Sequence, residues 1–460
     1  MPLPAPRPFP VSPPDSAWLR MESPTNPMTI TGVMGFGREM TPDQLRQFVE
    51  ERLLPFERFR MRIEDPGSAR PRWVPDEAFS LDRHLFTADL PEPSGKAELE
   101  ALVSRLMSRP LPFEKPPWEM HLVPHVGDAA GGSALVIRLH HVIGDGIAMM
   151  HVLIHAVDEY YRPGAAGRRR PSPKRPVAER AAETLKSAGA ETLDLLTSPS
   201  HLGSRLGSLG SGVGALGHLL VMRPDSPTVF KGSATPDKRA AWTEPMELRR
   251  VQAVGRALGA KVNDVLMAAA GGALRRYLQE RGEPVGGVRV RAAVPFNVRP
   301  LDRAHEMGNS FGLVFVELPV GEATVRDRLD AVKRRMDRVK ASAEPVVVYG
   351  ILQSIGRAPR WLHRFVVRLF SEKASAVLTN VPGPQEPLHV LGLPIETLMF
   401  WVPQAGEIGL GISILSLDGT VRVGISADAA YAPDPSKITD AFVAEFEALA
   451  AEFAPAAEAA

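Results

Sequence analysis

From about Arg162 to Asp237 the chain changes character. It opens Arg162-Pro163-Gly164, runs through Arg168-Arg169-Arg170-Pro171-Ser172-Pro173-Lys174-Arg175-Pro176 and stays rich in Pro, Gly, Ser and Arg. Clusters of these residues punctuate regular structure rather than extend it, so the stretch reads as a crossover between two folded parts, 1–161 and 238–460. It is more than a tether, because Ala181 to Leu196 has helical composition and Leu202 to Met222 is mildly apolar. The length of 460 residues agrees with the division, since one hydrophobic core seldom supports a chain that long.

Composition removes several classes of function. With no cysteine, the chain has no disulfide, thiolate metal site or cysteine acyl-enzyme. A formal charge of +1 argues against nucleic acid as a partner, which calls for a concentrated basic surface. No apolar run reaches the roughly 18 residues of a membrane span. The start Met1-Pro2-Leu3-Pro4-Ala5-Pro6 lacks the layout of a secretory signal, so a cytoplasmic location is expected.

Both halves alternate helices and strands, which predicts a mixed α/β fold. Thr41-Pro42-Asp43-Gln44 has the spacing of a capping box with proline at the first helical position, and Leu45, Phe48, Val49 and Leu53 then recur at helical spacing. Leu99, Leu102, Val103, Leu106 and Met107 mark a second helix. Ser133 to Leu139 reads as a buried strand running into His140-His141-Val142-Ile143-Gly144-Asp145-Gly146, and Ile147 to Tyr161 resumes a helical pattern. Beyond the crossover, helices are expected over Glu247 to Leu258, Val262 to Glu280 and Val325 to Ala341. Strands are expected over Val288 to Val294 and Phe311 to Leu318, with a hairpin turning at Asp418-Gly419.

The double histidine therefore sits where a strand gives way to a helix. Side chains alternate across a strand, so His140 and His141 should face opposite ways and one of them should be the working base. A neutral imidazole can take the proton of an alcohol as its oxygen attacks a carbonyl, a contribution of about 10²–10⁴-fold. We place His141 in that role; the alternative is that a histidine pair at a strand end is structural. Asp145 stands where a carboxylate can orient backbone, pair with an arginine or cap the next helix, and Gly146 allows a close approach, a positive φ or an ordinary turn. The G-x-G-x-x-G letters at Gly212 to Gly217 have no strand before them and carry no dinucleotide site. No nucleophile elbow, zinc helix or phosphate loop is present.

Six further segments accompany the double histidine in order: Ser12-Pro13-Pro14-Asp15-Ser16-Ala17-Trp18-Leu19-Arg20-Met21-Glu22 with Pro27-Met28; Pro116-Pro117-Trp118-Glu119; Val262-Asn263-Asp264-Val265; Val294-Pro295-Phe296-Asn297-Val298-Arg299; Gly308-Asn309-Ser310-Phe311; and Thr379-Asn380-Val381-Pro382-Gly383-Pro384. Together they resemble the bacterial wax ester synthase/acyl-CoA:diacylglycerol acyltransferases, within the H-H-x-x-x-D-G acyltransferase superfamily, over nearly the whole chain. The resemblance implies two chloramphenicol-acetyltransferase-like domains with an active-site tunnel between them. It implies transfer of a long-chain acyl group from acyl-CoA, a substrate rather than a cofactor, to diacylglycerol or a long-chain alcohol, with no metal. His140 and Gly146 would shape the loop, Asp145 would pair with Arg299, and Asn263 would orient substrate or hold the oxyanion, or else cap its helix. Trp118, Asp264, Asn380 and Gly383 would support the motifs. Condensation-type transfer from carrier proteins and non-catalytic lipid binding are the alternatives.

Some residues depart from the family pattern. Ile147-Ala148-Met149-Met150 is bulkier than usual after Asp-Gly, Pro117 replaces a leucine, and Phe230-Lys231-Gly232 stands where Leu-Asn-Gly is common. None of these touches the acid-base residues. Lipid acceptors imply peripheral contact with the inner face of the plasma membrane or with lipid droplets. Arg357, Arg360, His363, Arg364 and Arg368 interleave with Trp361, Leu362, Phe365 and Val366, as in a basic helix lying on anionic lipid or a core helix with a charged, solvated face. The run Arg168 to Lys174 is open to the same two readings, lipid patch or charged linker.

Overall fold

The computed structural model describes residues 6–68, 70–127, 132–161, 217, 219–297, 307–340, 344–356 and 358–454. The arginine run of the crossover, its expected helix, residues 212–216 of the glycine pattern, Arg299 and Arg357 lie outside them.

Two mixed sheets carry the fold, with helices packed against each. The first has six strands: β13 (His389–Val390), β14 (Leu393–Trp401), β2 (Thr29–Phe36), β7 (Gly132–His140), β6 (Trp118–Val126) and β5 (Leu85–Thr87), in that order. The second runs β11 (Phe311–Leu318), β10 (Val290–Asn297), β12 (Ala376–Pro382), β15 (Leu410–Leu417), β16 (Thr420–Asp428) and β8 (Lys238–Trp242), with β9 (Met246–Glu247) also on β16. A small third sheet joins β1 (Phe9–Pro10), β4 (Arg72–Pro75) and β3 (Met61–Glu64).

Strand β7 is near-continuously apolar because both its faces are covered. Alternation sends Leu135 and Leu139 into a core with Trp118, Val142 and Ile143, and Ala134 and Val136 into another with Val33, Trp242, Met399, Trp401 and Leu415. The second core is the joint between the halves: it combines side chains of β2, β7 and β14 with those of β8 and β15.

The halves also exchange segments. Strands β13 and β14 follow β12 in sequence but leave the second sheet, and β14 pairs antiparallel with β2, Trp401 opposite Thr31. In return, helix Pro13–Met21 packs Ala17 among Phe315, Val348, Leu352 and Ile355 of the C-terminal half. The split at 161 and 238 therefore does not separate two closed units. The first sheet completes itself with chain from the other half, because β14 covers the edge β2 would otherwise expose.

Local signals translate directly. Thr41 Oγ1 accepts from Gln44 N at 3.2 Å and Gln44 Oε1 from Thr41 N at 2.9 Å. Asp418 and Gly419 take φ of 46° and 67°, the two positive values that a two-residue hairpin turn needs. The helix after the double histidine ends earlier than expected, at Ala156. Buried Arg52 donates Nη1 to the Ala156 carbonyl at 2.7 Å and pairs with Asp158 at 2.6 Å, which satisfies the helix end and turns the chain away.

Candidate active site

His140 is the last residue of β7, and the chain turns from His141 to Asp145 before helix Gly146–Ala156 begins. Both histidines are buried, but they face different surroundings. His140 Nδ1 accepts from Val142 N at 3.0 Å, which puts its proton on Nε2. That atom faces Glu22 Oε2 at 3.4 Å without forming a hydrogen bond, and Phe113 meets the ring edge-on. This imidazole braces the turn it begins.

The His141 ring stacks on Trp18 with centroids 4.2 Å apart and lies 5.8 Å from Phe311. Its Nδ1 is fully buried and has no hydrogen-bond partner, so Nε2 is the nitrogen left to take a partner. Burial, reinforced by His140, pushes the imidazole down from its ordinary 6.5 to about 3, while Asn309 and the main chain of His141 itself work the other way. The ring is a neutral imidazole stacked on Trp18, with Phe311 tilted against both rings.

The turn is gripped along its length. His141 N donates to Met28 O at 2.7 Å, and Asn309 Nδ2 donates to His141 O at 2.8 Å. Arg58 Nη1 donates to Val142 O at 2.8 Å and to Ile143 O at 3.0 Å. Gly144 bridges to Gly308, whose φ of 111° only glycine adopts comfortably. Behind this, Asp15 Oδ1 accepts from Asn309 N at 2.9 Å and Nδ2 at 2.8 Å, and Asp15 Oδ2 lies 3.2 Å from Arg58 Nη2. Buried Asp15, Arg58 and Asn309 thus form one charge-assisted network beneath the base.

Asp145 caps the following helix, its Oδ1 accepting from Ala148 N at 2.9 Å. Its Oδ2 accepts from Ser310 N at 2.7 Å, and its own N–H donates to Gly308 O at 3.2 Å. The carboxylate therefore ties the motif of the first half to the Gly308-Asn309-Ser310 segment of the second.

A family model described as the wax ester synthase/diacylglycerol acyltransferase catalytic domain matches residues 11–266, and one described as the WS/DGAT C-terminal domain matches 307–450. The chain belongs to the wax ester synthase/diacylglycerol acyltransferase family. It is an acyltransferase. A Mycobacterium tuberculosis protein named as a diacylglycerol O-acyltransferase is 30% identical over 373 residues, 75% of each chain. Another, from the same organism and of the same description, is 27% identical over 423 residues, 90% of each. The solved wax ester synthase/diacylglycerol acyltransferase from Marinobacter aquaeolei shares the fold, with TM-score 0.68 at 22% identity, covering 96% of this chain and 98% of that one. The first condensation domain of the calcium-dependent antibiotic synthetase also shares it, at TM-score 0.59 and 16% identity, covering 96% and 97%.

In this acyltransferase the remaining expected residues fall into separate groups. Asn263 does not cap its helix; Asp264 does, accepting from Lys261 N at 3.0 Å. Asn263 instead accepts from Asn380 Nδ2 at 3.0 Å, and its own Nδ2 has a weak contact with Met267 Sδ at 3.6 Å. Trp118 is a core residue: its indole donates to Phe59 O at 2.9 Å and stacks on His84 at 4.3 Å. At Gly383 a Cβ would lie 2.2 Å from Ser416 O, so that glycine permits β12 and β15 to approach. Of the three readings of Gly146 the ordinary turn remains: its φ is not positive, and a Cβ there would meet nothing within 4 Å, so it leaves open space at the helix start. Among the described residues no cluster of metal ligands is placed to hold an ion.

Sequence reading missed the roles of five residues: Trp18, Glu22, Asp15, Arg58 and Asn309. Four lie inside quoted motifs; for Asp15, Glu22 and Asn309 a charged or amide residue in an apolar setting was the available signal, and for Trp18 only membership of the motif. Arg58, in Glu57-Arg58-Phe59-Arg60, carried none.

Proposed function

We propose that His141 is the general base of acyl transfer from acyl-CoA to diacylglycerol or a long-chain alcohol, giving triacylglycerol or wax ester. The observation that carries this is a buried, neutral imidazole with one blocked nitrogen, stacked on Trp18 at the seam between the halves. The acceptor hydroxyl gives its proton to Nε2 as its oxygen bonds to the thioester carbon. When the tetrahedral intermediate collapses, the C–S bond breaks and the imidazolium returns the proton to the departing thiolate. No covalent acyl-enzyme is required. Acyl-CoA and acceptor reach the seam from opposite sides.

In this reading Asp145 and His140 hold the turn rather than touch substrate. Asn263, oriented by Asn380, offers its amide N–H to the developing oxyanion. Arg299 remains the proposed arginine partner of Asp145. The relatives named as diacylglycerol O-acyltransferases support the acceptor class. No helix among the described residues is long and apolar enough to cross a membrane, and we take the enzyme to work as a peripheral protein on the inner membrane face or on lipid droplets.

The test is product analysis with palmitoyl-CoA, offered diacylglycerol and hexadecanol separately, for the wild type and His141→Ala. The variant is expected to lose about 10²–10⁴-fold in kcat with unchanged melting temperature. Full ester synthesis by the variant would remove His141 from the mechanism. Product only from an acyl-carrier-protein donor would favour the condensation-type alternative, whose fold this chain shares.

A further inference from the structure

Helix Arg360–Ser371 has two apolar sides. Inward, Val366 and Phe370 join the cluster of Leu352, Ile355 and Ala374, and buried His363 approaches the Ala17 carbonyl at 3.2 Å through Nε2. Outward, Arg360, Trp361, Arg364, Phe365 and Arg368 are all exposed, a spacing of i, i+1, i+4, i+5 and i+8 that makes one continuous face. Trp361 is 67% exposed and Phe365 60%. A core helix with a merely charged outer face would not set two large aromatic rings in water.

The neighbouring surface continues the pattern. The exposed large hydrophobics among the described residues are Phe86, Leu220, Val221, Trp361 and Phe365. Leu220 and Val221 lie between Leu219 and Met222, which pack into the same cluster as Val366 and Phe370. Lys373 Nζ, just past the helix, donates to Met222 O at 2.7 Å. All but Phe86 therefore lie on this helix or on the segment packed beside it. Its sequence holds three arginines and no carboxylate; Glu372, beyond its end, pairs with Arg368 at 3.2 Å.

We propose that this face, Trp361 and Phe365 flanked by Arg360, Arg364 and Arg368 with Leu220 and Val221 beside them, docks the enzyme on an anionic lipid surface. Aromatic rings with a row of guanidinium groups match an acyl boundary under negatively charged headgroups. Other occupants fit less well. The crossover that could fold over the face is itself basic at Arg168, Arg169, Arg170, Lys174 and Arg175, and a second copy meeting it about a two-fold axis would oppose the arginine rows. The helix rests on Pro13–Met21, the helix whose Trp18 stacks on His141. The lipid surface then lies within about two helix diameters, roughly 20 Å, of the base. That consequence rests on the lipid-acceptor reading; the docking does not.

The experiment is flotation of the full-length chain with phosphatidylcholine vesicles, with and without phosphatidylglycerol, at low and high salt and without acyl substrate. Wild type should bind the phosphatidylglycerol vesicles and release as salt rises. Trp361→Ser with Phe365→Ser should weaken binding at least about tenfold and Arg364→Glu at least about fivefold, while Phe86→Ser binds as wild type. All variants should keep wild-type turnover on a soluble alcohol acceptor, so failure of docking and failure of the acyltransfer reading are separable. Equal binding to neutral vesicles, wild-type binding by the double variant, or absence of binding with a dimer that the double variant dissociates would each overturn the proposal.

Discussion

If burial holds His141 neutral, lowering pH from 8 to 5 should not switch off the base. The fall of its pKa from 6.5 to about 3 corresponds to about 5 kcal/mol of penalty on charging the buried ring, at 1.36 kcal/mol per pKa unit. The imidazole therefore stays unprotonated across that range in the folded enzyme. The cost appears in stability instead. Because the folded pKa lies below the unfolded one, the unfolded chain binds more protons between pH 6.5 and about 3, and stability falls as pH falls through that window. At pH 5 His141 alone removes about 2 kcal/mol relative to neutral pH. Buried His84, lowered to about 4 by desolvation, acts with the same sign and removes about as much, and His363 is shifted in the same direction. Measured as kcat/KM from pH 5 to 8, with unfolding followed by tryptophan fluorescence at each pH, the activity of the folded fraction should show no acid limb centred near 6.5, while the urea midpoint should drop markedly between pH 7 and pH 5. An acid limb at 6 to 7 in fully folded enzyme would refute the argument that burial sets the protonation of the base.

Three further outcomes follow from the same geometry. Asn309→Ala removes the donor to His141 O and to Asp15, so kcat should fall about 10–100-fold by misplacing the ring, with a smaller change in KM; unchanged kcat would reduce Asn309 to a stability role. Arg58→Met leaves the Asp15 carboxylate buried without its cation and should cost about 3–5 kcal/mol in urea unfolding, whereas a change below about 1 kcal/mol would show that the network is not coupled. Gly383→Ala forces a Cβ against Ser416 O and should destabilise by about 1–3 kcal/mol, read as a lower melting temperature with kcat retained in the folded fraction.

What the sequence determined by itself was local or tied to a motif. The capping box at Thr41, the turn at Asp418-Gly419 and the strand-to-helix junction at the double histidine are set by side chains acting within a few residues, so their chemistry can be read in order along the chain. Seven motifs in series were enough for the family, and they single out His141 as the base proposed above. Tertiary structure alone decided which distant pieces meet. Nothing in Leu393–Trp401 says that it pairs with Thr29–Phe36 rather than with its sequence neighbours, because a strand's hydrogen bonds carry no address; the choice is made by which edge must be covered. Nor could Arg58 be seen as the hand that holds Val142 and Ile143, since its role exists only once Asp15 and Asn309 arrive from either end of the chain. Helix Arg360–Ser371 shows the same limit from outside: its residues gave an amphipathic pattern with two readings, and only packing against Pro13–Met21 fixed which rings face the core and left Trp361 and Phe365 in water.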